Sequence, residues 1–162
     1  MLDVSPAEEY ADWHAAGSVS APSVRFSTGD GSLRSALRSA AFASLSVKPT
    51  EDVPRDEFLA SAQAALRGTA AGVIVACAAG GTLRPTTNFP AGPASRSLFA
   101  AATLLGSGAL PRDRVVHLQG GLSAWFKAGR PGEGAGEEWD VRKGRVPSVG
   151  GPMYEQDAAE LS

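Results

Sequence analysis

The residue best suited to do chemistry in this sequence is Cys77, the only cysteine among 162 residues. It follows the apolar run 73–76 and precedes a glycine-bearing loop. Beyond the loop, Ser95-Arg96-Ser97 begins a predicted helix. The first N–H groups of a helix lack partners and that end of the helix is positive, so both effects favour a thiolate over a thiol. This order indicates a reactive thiol, although a lone cysteine can also be a small buried hydrophobic residue.

The composition is that of an ordinary globular domain, with 43% hydrophobic and 20% charged residues. A net charge of −2 without any basic run argues against a nucleic-acid partner. No apolar stretch reaches the about 18 residues that span a bilayer, so the chain is not expected to cross a membrane. One cysteine cannot form an internal disulfide, and one cysteine with two histidines argues against a zinc site. We expect no metal and no cofactor.

Short apolar runs alternate with stretches of helical periodicity along the chain. The predicted strands are residues 2–4, 18–21, 73–76 and 115–118, and the predicted helices begin near residues 6, 30, 54, 95 and 121. The run 73–76 is apolar on both faces, as in a buried parallel strand. This alternation predicts an α/β fold with a mainly parallel sheet flanked by helices. Because the chain begins on a predicted strand, we expect a leader and an N-terminal element to be missing from this sequence.

Four short stretches, taken in order, resemble motifs of the rhodanese, or sulfurtransferase, family. They are LDVSPAEEY (2–10), WHAAGSV (13–19), strand 73–76 with Cys77 and the later Ser95-Arg96-Ser97, and LQGGLSAW (118–125). The corresponding family motifs are L-D-V-R-x-x-x-E-Y, G-H-I-x-G-A, the active-site cysteine loop with its R-S helix start, and L-x-G-G-x-x-A-W. The resemblance implies a rhodanese-like three-layer α/β domain over residues 1–131. Residues 132–162 are predicted to be an extended, acidic tail rich in glycine and proline.

The segment that follows Cys77 departs from the common family pattern. Typical members have a much shorter loop, whereas 18 residues separate Cys77 from Arg96 here. The insert 78–94, AAGGTLRPTTNFPAGPA, resembles the C-x-x-G-G-T-x-x-P-T-x-N pattern that precedes S-R-S-L in single-domain rhodanese-like proteins of plant and algal chloroplasts. The resemblance therefore implies a chloroplast protein.

The family resemblance implies a sulfurtransferase or persulfide carrier. Cys77 would accept a sulfane sulfur from a small donor such as thiosulfate or a persulfide. Since there is no second cysteine, the sulfur would pass to a thiol acceptor or a protein partner outside the chain. No general base is needed if the thiol is already ionised, and neither His14 nor His117 is close to Cys77 in sequence. The residues expected to surround the persulfide are Gly80, Gly81, Ser95, Arg96 and Ser97.

Two other functions are compatible with parts of the sequence. One is a non-catalytic rhodanese-like module that binds a chloroplast protein through the insert, a reading suggested by the insert's length and by Ser5, which replaces the family's usual arginine. The other is a cysteine phosphatase of the same fold. Such an enzyme needs an arginine six residues after the cysteine, where Leu83 stands, and this argues against it.

Overall fold

A parallel sheet lies at the centre of the computed structural model, which describes residues 1–27, 50–68 and 72–136. Its strand order is β3 (Val19–Ser20), β1 (Leu2–Asp3), β6 (Val73–Ala76) and β7 (Val115–His117). Each neighbouring pair in this sheet is parallel, with Leu2 opposite both Val19 and Val75, and Val75 opposite His117. The predicted α/β class with a mainly parallel sheet is confirmed.

The sheet is flanked by helices and by two short antiparallel strand pairs. In the described ranges the helices are α1 (Ala7–Asp12), α2 (Arg55–Ala65), α3 (Arg96–Ser107) and α4 (Gly121–Lys127), with a 3-10 turn at Arg112–Arg114. The strand pairs are β2 (His14–Ala15) with β8 (Gly132–Glu133), and β4 (Val24–Phe26) with β5 (Thr50–Asp52). No helix in these ranges is both long and apolar enough to cross a membrane.

Two sequence predictions concern residues that the structure does not describe. The predicted helix beginning at residue 30 lies outside the described residues, and so does the tail beyond residue 136. The first part of the predicted tail is described: Gly132–Glu133 forms β8 and pairs with β2, with Glu133 opposite His14. The division of the chain into a domain and a tail at residue 131 stays a prediction.

Side chains alternate along β6 and separate into two apolar layers. Val73, Val75 and Cys77 pack with α2 and α3, whereas Ala76 packs with Trp13, Ala15 and Leu122. The prediction that strand 73–76 is buried on both faces is wrong at Ile74, whose side chain is 38% exposed. The second apolar layer covers Ala76 but leaves Ile74 and its neighbour Val116 on β7 exposed.

Helix α3 begins where the sequence indicates, because Ser95 caps it. The Ser95 hydroxyl oxygen accepts a hydrogen bond from the Leu98 N–H at 3.2 Å, and the helix ends at Gly108 with a left-handed φ of 70°. Its apolar face, which includes Ala100 and Leu104, packs on the sheet layer that contains Cys77. The start of α3 is therefore fixed beside the carboxyl end of β6.

Two glycine turns meet next to Cys77. Gly121, with φ 59°, begins α4, and the Leu122 N–H donates to the Cys77 carbonyl oxygen at 3.0 Å. A Cβ atom on Gly121 would overlap that carbonyl oxygen, and one on Gly80 would overlap the Gly121 nitrogen. Only glycine permits both the left-handed φ and this close backbone approach.

A buried ion pair joins α1 to α3. Arg96 Nη1 lies 3.3 Å from Glu9 Oε2, and the two side chains are 18% and 6% exposed. Residues 9 and 96 come from distant parts of the sequence, so this pair fixes the first helix against the start of α3. Arg25 and Glu51 form a contrasting pair on the surface, 2.9 Å apart and about half exposed.

Substituting Gly121→Ala is expected to destabilise the protein more than Gly17→Ala. Gly17 also has a left-handed φ, 71°, but a Cβ atom there meets nothing within 4 Å. The control therefore loses only the conformational term, about 1 kcal/mol. Gly121→Ala adds an overlap with fixed backbone worth roughly 2 kcal/mol more. Urea unfolding measures both free energies, and equal losses would show that the Gly121 contact is not restrictive.

Substituting Glu9→Gln is expected to lower the free energy of unfolding by about 3 kcal/mol, because Arg96 keeps a buried charge without its counterion. The matched change Glu51→Gln removes an exposed partner and should cost less than about 1 kcal/mol. Chemical denaturation of the two variants gives the comparison. A loss at Glu9 no greater than that at Glu51 would contradict a structural role for the buried pair.

Candidate active site

Cys77 lies directly after β6, beside the first turn of α3. It is 2% exposed, and its Sγ atom is 3.2 Å from the Oγ of Ser97, the second residue of that helix. Ser97 is fully buried. The structure therefore brings together the thiol and the helix start that the sequence selected, and it adds a hydroxyl group within hydrogen-bonding distance of the sulfur.

Ser97 joins Cys77 to a histidine on the next strand. Ser97 Oγ lies 3.0 Å from Nε2 of His117, the last residue of β7. Burial lowers the pKa of His117 below its usual 6.5 because the charged ring loses hydration, and a hydrogen bond with the backbone of Gly80 opposes this in part. The imidazole is consequently neutral at neutral pH and able to accept a proton.

Ser95 connects the cysteine loop to the start of α3. Its hydroxyl donates to the Gly80 carbonyl oxygen at 2.9 Å and lies 3.1 Å from Ser97 Oγ. The same oxygen caps the helix, whereas the predicted role of Ser95 around a persulfide stays a prediction. The backbone of Gly81 also packs closely against Ser95. A Cβ atom on Gly81 would come within 2.8 Å of the Ser95 Cβ.

Arg96 is held by Glu9, and its charge is paired with that carboxylate. The sequence predicted that Arg96 would help to surround a persulfide. The guanidinium is therefore paired with Glu9, Arg96 itself is the first residue of α3, and its role around a persulfide stays a prediction. A cavity of about 340 Å³ lies along the same helix, and its lining includes Arg55, Phe58, Arg96 and Phe99.

The insert 78–94 is a loop whose two ends are tied together. The Thr82 N–H donates to the Pro93 carbonyl at 3.0 Å, and Thr86 and Phe89 bond each other within the loop. A Cβ atom on Gly92 would overlap the Thr82 carbonyl oxygen, so this closure also depends on glycine. Leu83 is 76% exposed on this loop. The insert thus exposes the apolar side chain of Leu83 to solvent, while Gly81, near its start, packs against Ser95.

Two positions that the family comparison highlighted lie apart from the Cys77–Ser97–His117 contacts. Ser5 stands where the family usually has arginine; its N–H donates to Asp3 at 2.9 Å, and its own buried hydroxyl has no hydrogen-bond partner among the described residues. His14 stacks on Tyr10 with ring centroids 3.8 Å apart and lies 3.7 Å from Glu133. These contacts hold His14 against α1 and β8. In the described part of the chain, no cluster of three or more acidic, histidine or cysteine side chains could hold a metal ion.

The residue that sequence reasoning left without a role is His117. The signal that could have identified it is topological: Cys77 follows strand 73–76, and His117 lies near the end of the next predicted strand, residues 115–118. Carboxyl ends of parallel strands lie at the same edge of a sheet, and this edge is where α/β proteins place their sites. The pairing of β6 with β7 therefore brings His117 to the same edge as Cys77.

Comparisons with known proteins agree with the fold and the motifs. No protein-family model and no solved structure matches the chain. Rhodanese-like domain-containing protein 14, chloroplastic, from Arabidopsis thaliana is 37% identical over 134 residues, which cover 82% of this chain. The chain spans 57% of that relative's length. The relative is a chloroplast protein, which confirms the predicted chloroplast assignment by resemblance. With its parallel α/β sheet and its ordered motifs, the chain belongs to the rhodanese-like family.

Proposed function

We propose that this protein is a chloroplast sulfurtransferase or persulfide carrier that takes a sulfane sulfur onto Cys77 and passes it to a thiophilic acceptor. The observation that carries the proposal is the position of the Cys77 sulfur, 3.2 Å from a hydroxyl in the first turn of α3. A twelve-residue helix directs its positive end and its unpaired N–H groups toward this place. The arrangement suits a sulfur atom that carries negative charge during reaction.

The proposed reaction has two displacement steps at sulfur. In the first, the Cys77 thiolate attacks the outer sulfur of thiosulfate; a new S–S bond forms, the bond to the sulfonate sulfur breaks, and sulfite leaves with that electron pair. Cys77 then holds a persulfide that carries one negative charge. In the second step a nucleophile such as cyanide or a thiolate bonds to the outer sulfur, and the Cys77 thiolate is released. Charge and atoms balance in each step without a cofactor.

Hydrogen-bond donors that are already in position supply the electrostatic support for these anions. Once Cys77 is a thiolate, the Ser97 hydroxyl can donate to the sulfur, and the start of α3 adds the positive end of the helix. In a buried site such donors are stronger than in water, because they need no reorientation when charge develops. Cys77 is 2% exposed, which favours a small sulfur donor such as thiosulfate.

Incubation with thiosulfate is expected to add the mass of one sulfur atom to Cys77, detected by mass spectrometry of the intact protein and its peptides. Addition of cyanide should then remove that mass and release thiocyanate. Because the chain has a single cysteine, Cys77→Ala provides a complete control and should show neither the mass gain nor thiocyanate.

Absence of a mass gain in the folded wild-type protein, with thiosulfate and with a small organic persulfide, would contradict the carrier proposal. That result would favour a non-catalytic rhodanese-like module. The feature that supports this second function is the insert, where Leu83 offers an exposed apolar contact for a protein partner. Normal turnover by Cys77→Ala would exclude Cys77 as the sulfur carrier.

A further inference from the structure

We infer that Ser97 and His117 form a proton relay that controls the ionisation of Cys77, with His117 acting through Ser97 as a positioning residue. The inference deepens the proposed function, because a persulfide can form only after the thiol has lost its proton. It goes beyond the assumption that the helix start alone ionises the cysteine. It assigns a role to a buried serine on α3 and a partly buried histidine on β7.

The geometry of the relay is continuous. Cys77 Sγ is 3.2 Å from Ser97 Oγ, and Ser97 Oγ is 3.0 Å from His117 Nε2. Ser97 has no exposed surface, so water does not compete for its hydroxyl group. In this path the serine hydroxyl lies between the imidazole and the sulfur. A proton that moves from Cys77 to His117 must therefore pass through Ser97.

The neighbouring serine determines the direction of the hydrogen bonds. Ser95 has one hydroxyl proton, and it donates this proton to the Gly80 carbonyl oxygen at 2.9 Å. At 3.1 Å from Ser97, Ser95 can then only accept. The Ser97 proton has three acceptors within reach, namely the Ser95 oxygen, the Cys77 sulfur and the imidazole nitrogen, and the nitrogen is the most basic of them. Ser97 thus donates to His117 and keeps lone pairs for the Cys77 thiol.

The proton transfer balances in a single concerted step. The S–H bond of Cys77 breaks as its proton bonds to Ser97 Oγ, and the original Ser97 proton moves to His117 Nε2. The serine hydroxyl is re-formed, leaving a thiolate and an imidazolium as a coupled pair. The neutral imidazole required at the outset agrees with the lowered pKa that burial gives His117. The cationic ring that results is favoured by the thiolate close to it.

Other charged groups on the surrounding elements do not replace His117 in this role. Arg96 and Glu9 neutralise each other, and Asp3 pairs opposite Ala76, whose side chain faces away from the layer that holds Cys77. The remaining charged side chains on the adjoining turn, insert and helices are exposed: Arg55, Asp56, Glu57, Arg84, Arg112, Asp113, Arg114 and Lys127. In the described part of the chain, His117 is thus the titratable side chain that is hydrogen-bonded to Ser97, the residue in contact with the Cys77 thiol.

The relay is tested by titrating the thiolate through its ultraviolet absorbance, with Cys77→Ala as the blank. The single cysteine makes the difference spectrum specific, and no reagent has to enter the buried site. His117→Asn, His117→Gln and Ser97→Ala should each move the midpoint of thiolate formation up by about one pH unit or more, which is about tenfold less thiolate at a given lower pH. The control His14→Asn changes the other histidine and should leave the midpoint in place.

A midpoint in both His117 variants equal to that of His14→Asn would overturn the relay, provided circular dichroism shows the wild-type fold. A shift in the His117 variants with none in Ser97→Ala would also overturn it, since the proton path would then bypass the serine. The measurement uses no sulfur donor. Failure of thiosulfate to load Cys77 would therefore contradict the proposed function alone, while an unshifted midpoint would contradict the relay alone.

Discussion

The close approach of two backbone turns, at Gly80 and Gly121, is the constraint on which the site depends. Because neither residue has a Cβ atom, the first turn of α4 can reach the carbonyl oxygens that follow β6. The N–H groups of Leu122 and Ser123 donate to Cys77 and Ala78 at 3.0 and 3.1 Å. Donors that would otherwise be unpaired at a helix start are thus satisfied by the cysteine loop. The backbone of Cys77 is fixed by α4, and its side chain is directed to α3.

The two helix starts next to Cys77 therefore serve different purposes. The start of α4 binds carbonyl oxygens and is used for structure, whereas the start of α3 lies beside the sulfur atom. The Ser95 hydroxyl accepts a hydrogen bond from α3 and donates one to the Gly80 carbonyl oxygen. Because Gly80 also packs against Gly121, the loop is linked to both α3 and α4. The long insert does not disturb this arrangement, since its ends are bonded to each other before Ser95 is reached. Its length is confined to the exposed part of the loop.

Local patterns predicted the elements of this fold better than they predicted its contacts. Strand 73–76 and the helix beginning near Ser95 follow from apolar runs and a capping serine, so both were predictable. The Ser97–His117 contact and the Arg96–Glu9 pair were not, because each joins residues from separate elements and depends on strand register and helix orientation. Ile74 was misjudged for a similar reason: four apolar residues in a row do not reveal how far the neighbouring layer extends over them.

The pairing of Arg96 with Glu9 affects the chemistry as well as the fold. A free guanidinium beside the sulfur would strongly stabilise the thiolate, but a strongly stabilised thiolate is also a weaker nucleophile. With that charge neutralised, the polar contact of the sulfur is the Ser97 hydroxyl, which in turn contacts a histidine that is neutral before reaction. Such an environment suits a carrier, which must both accept a sulfur atom and release it. Under the proposed function, the buried acid on α1 would therefore influence the reactivity of Cys77 without touching it, because it pairs with the charge of the residue that begins α3.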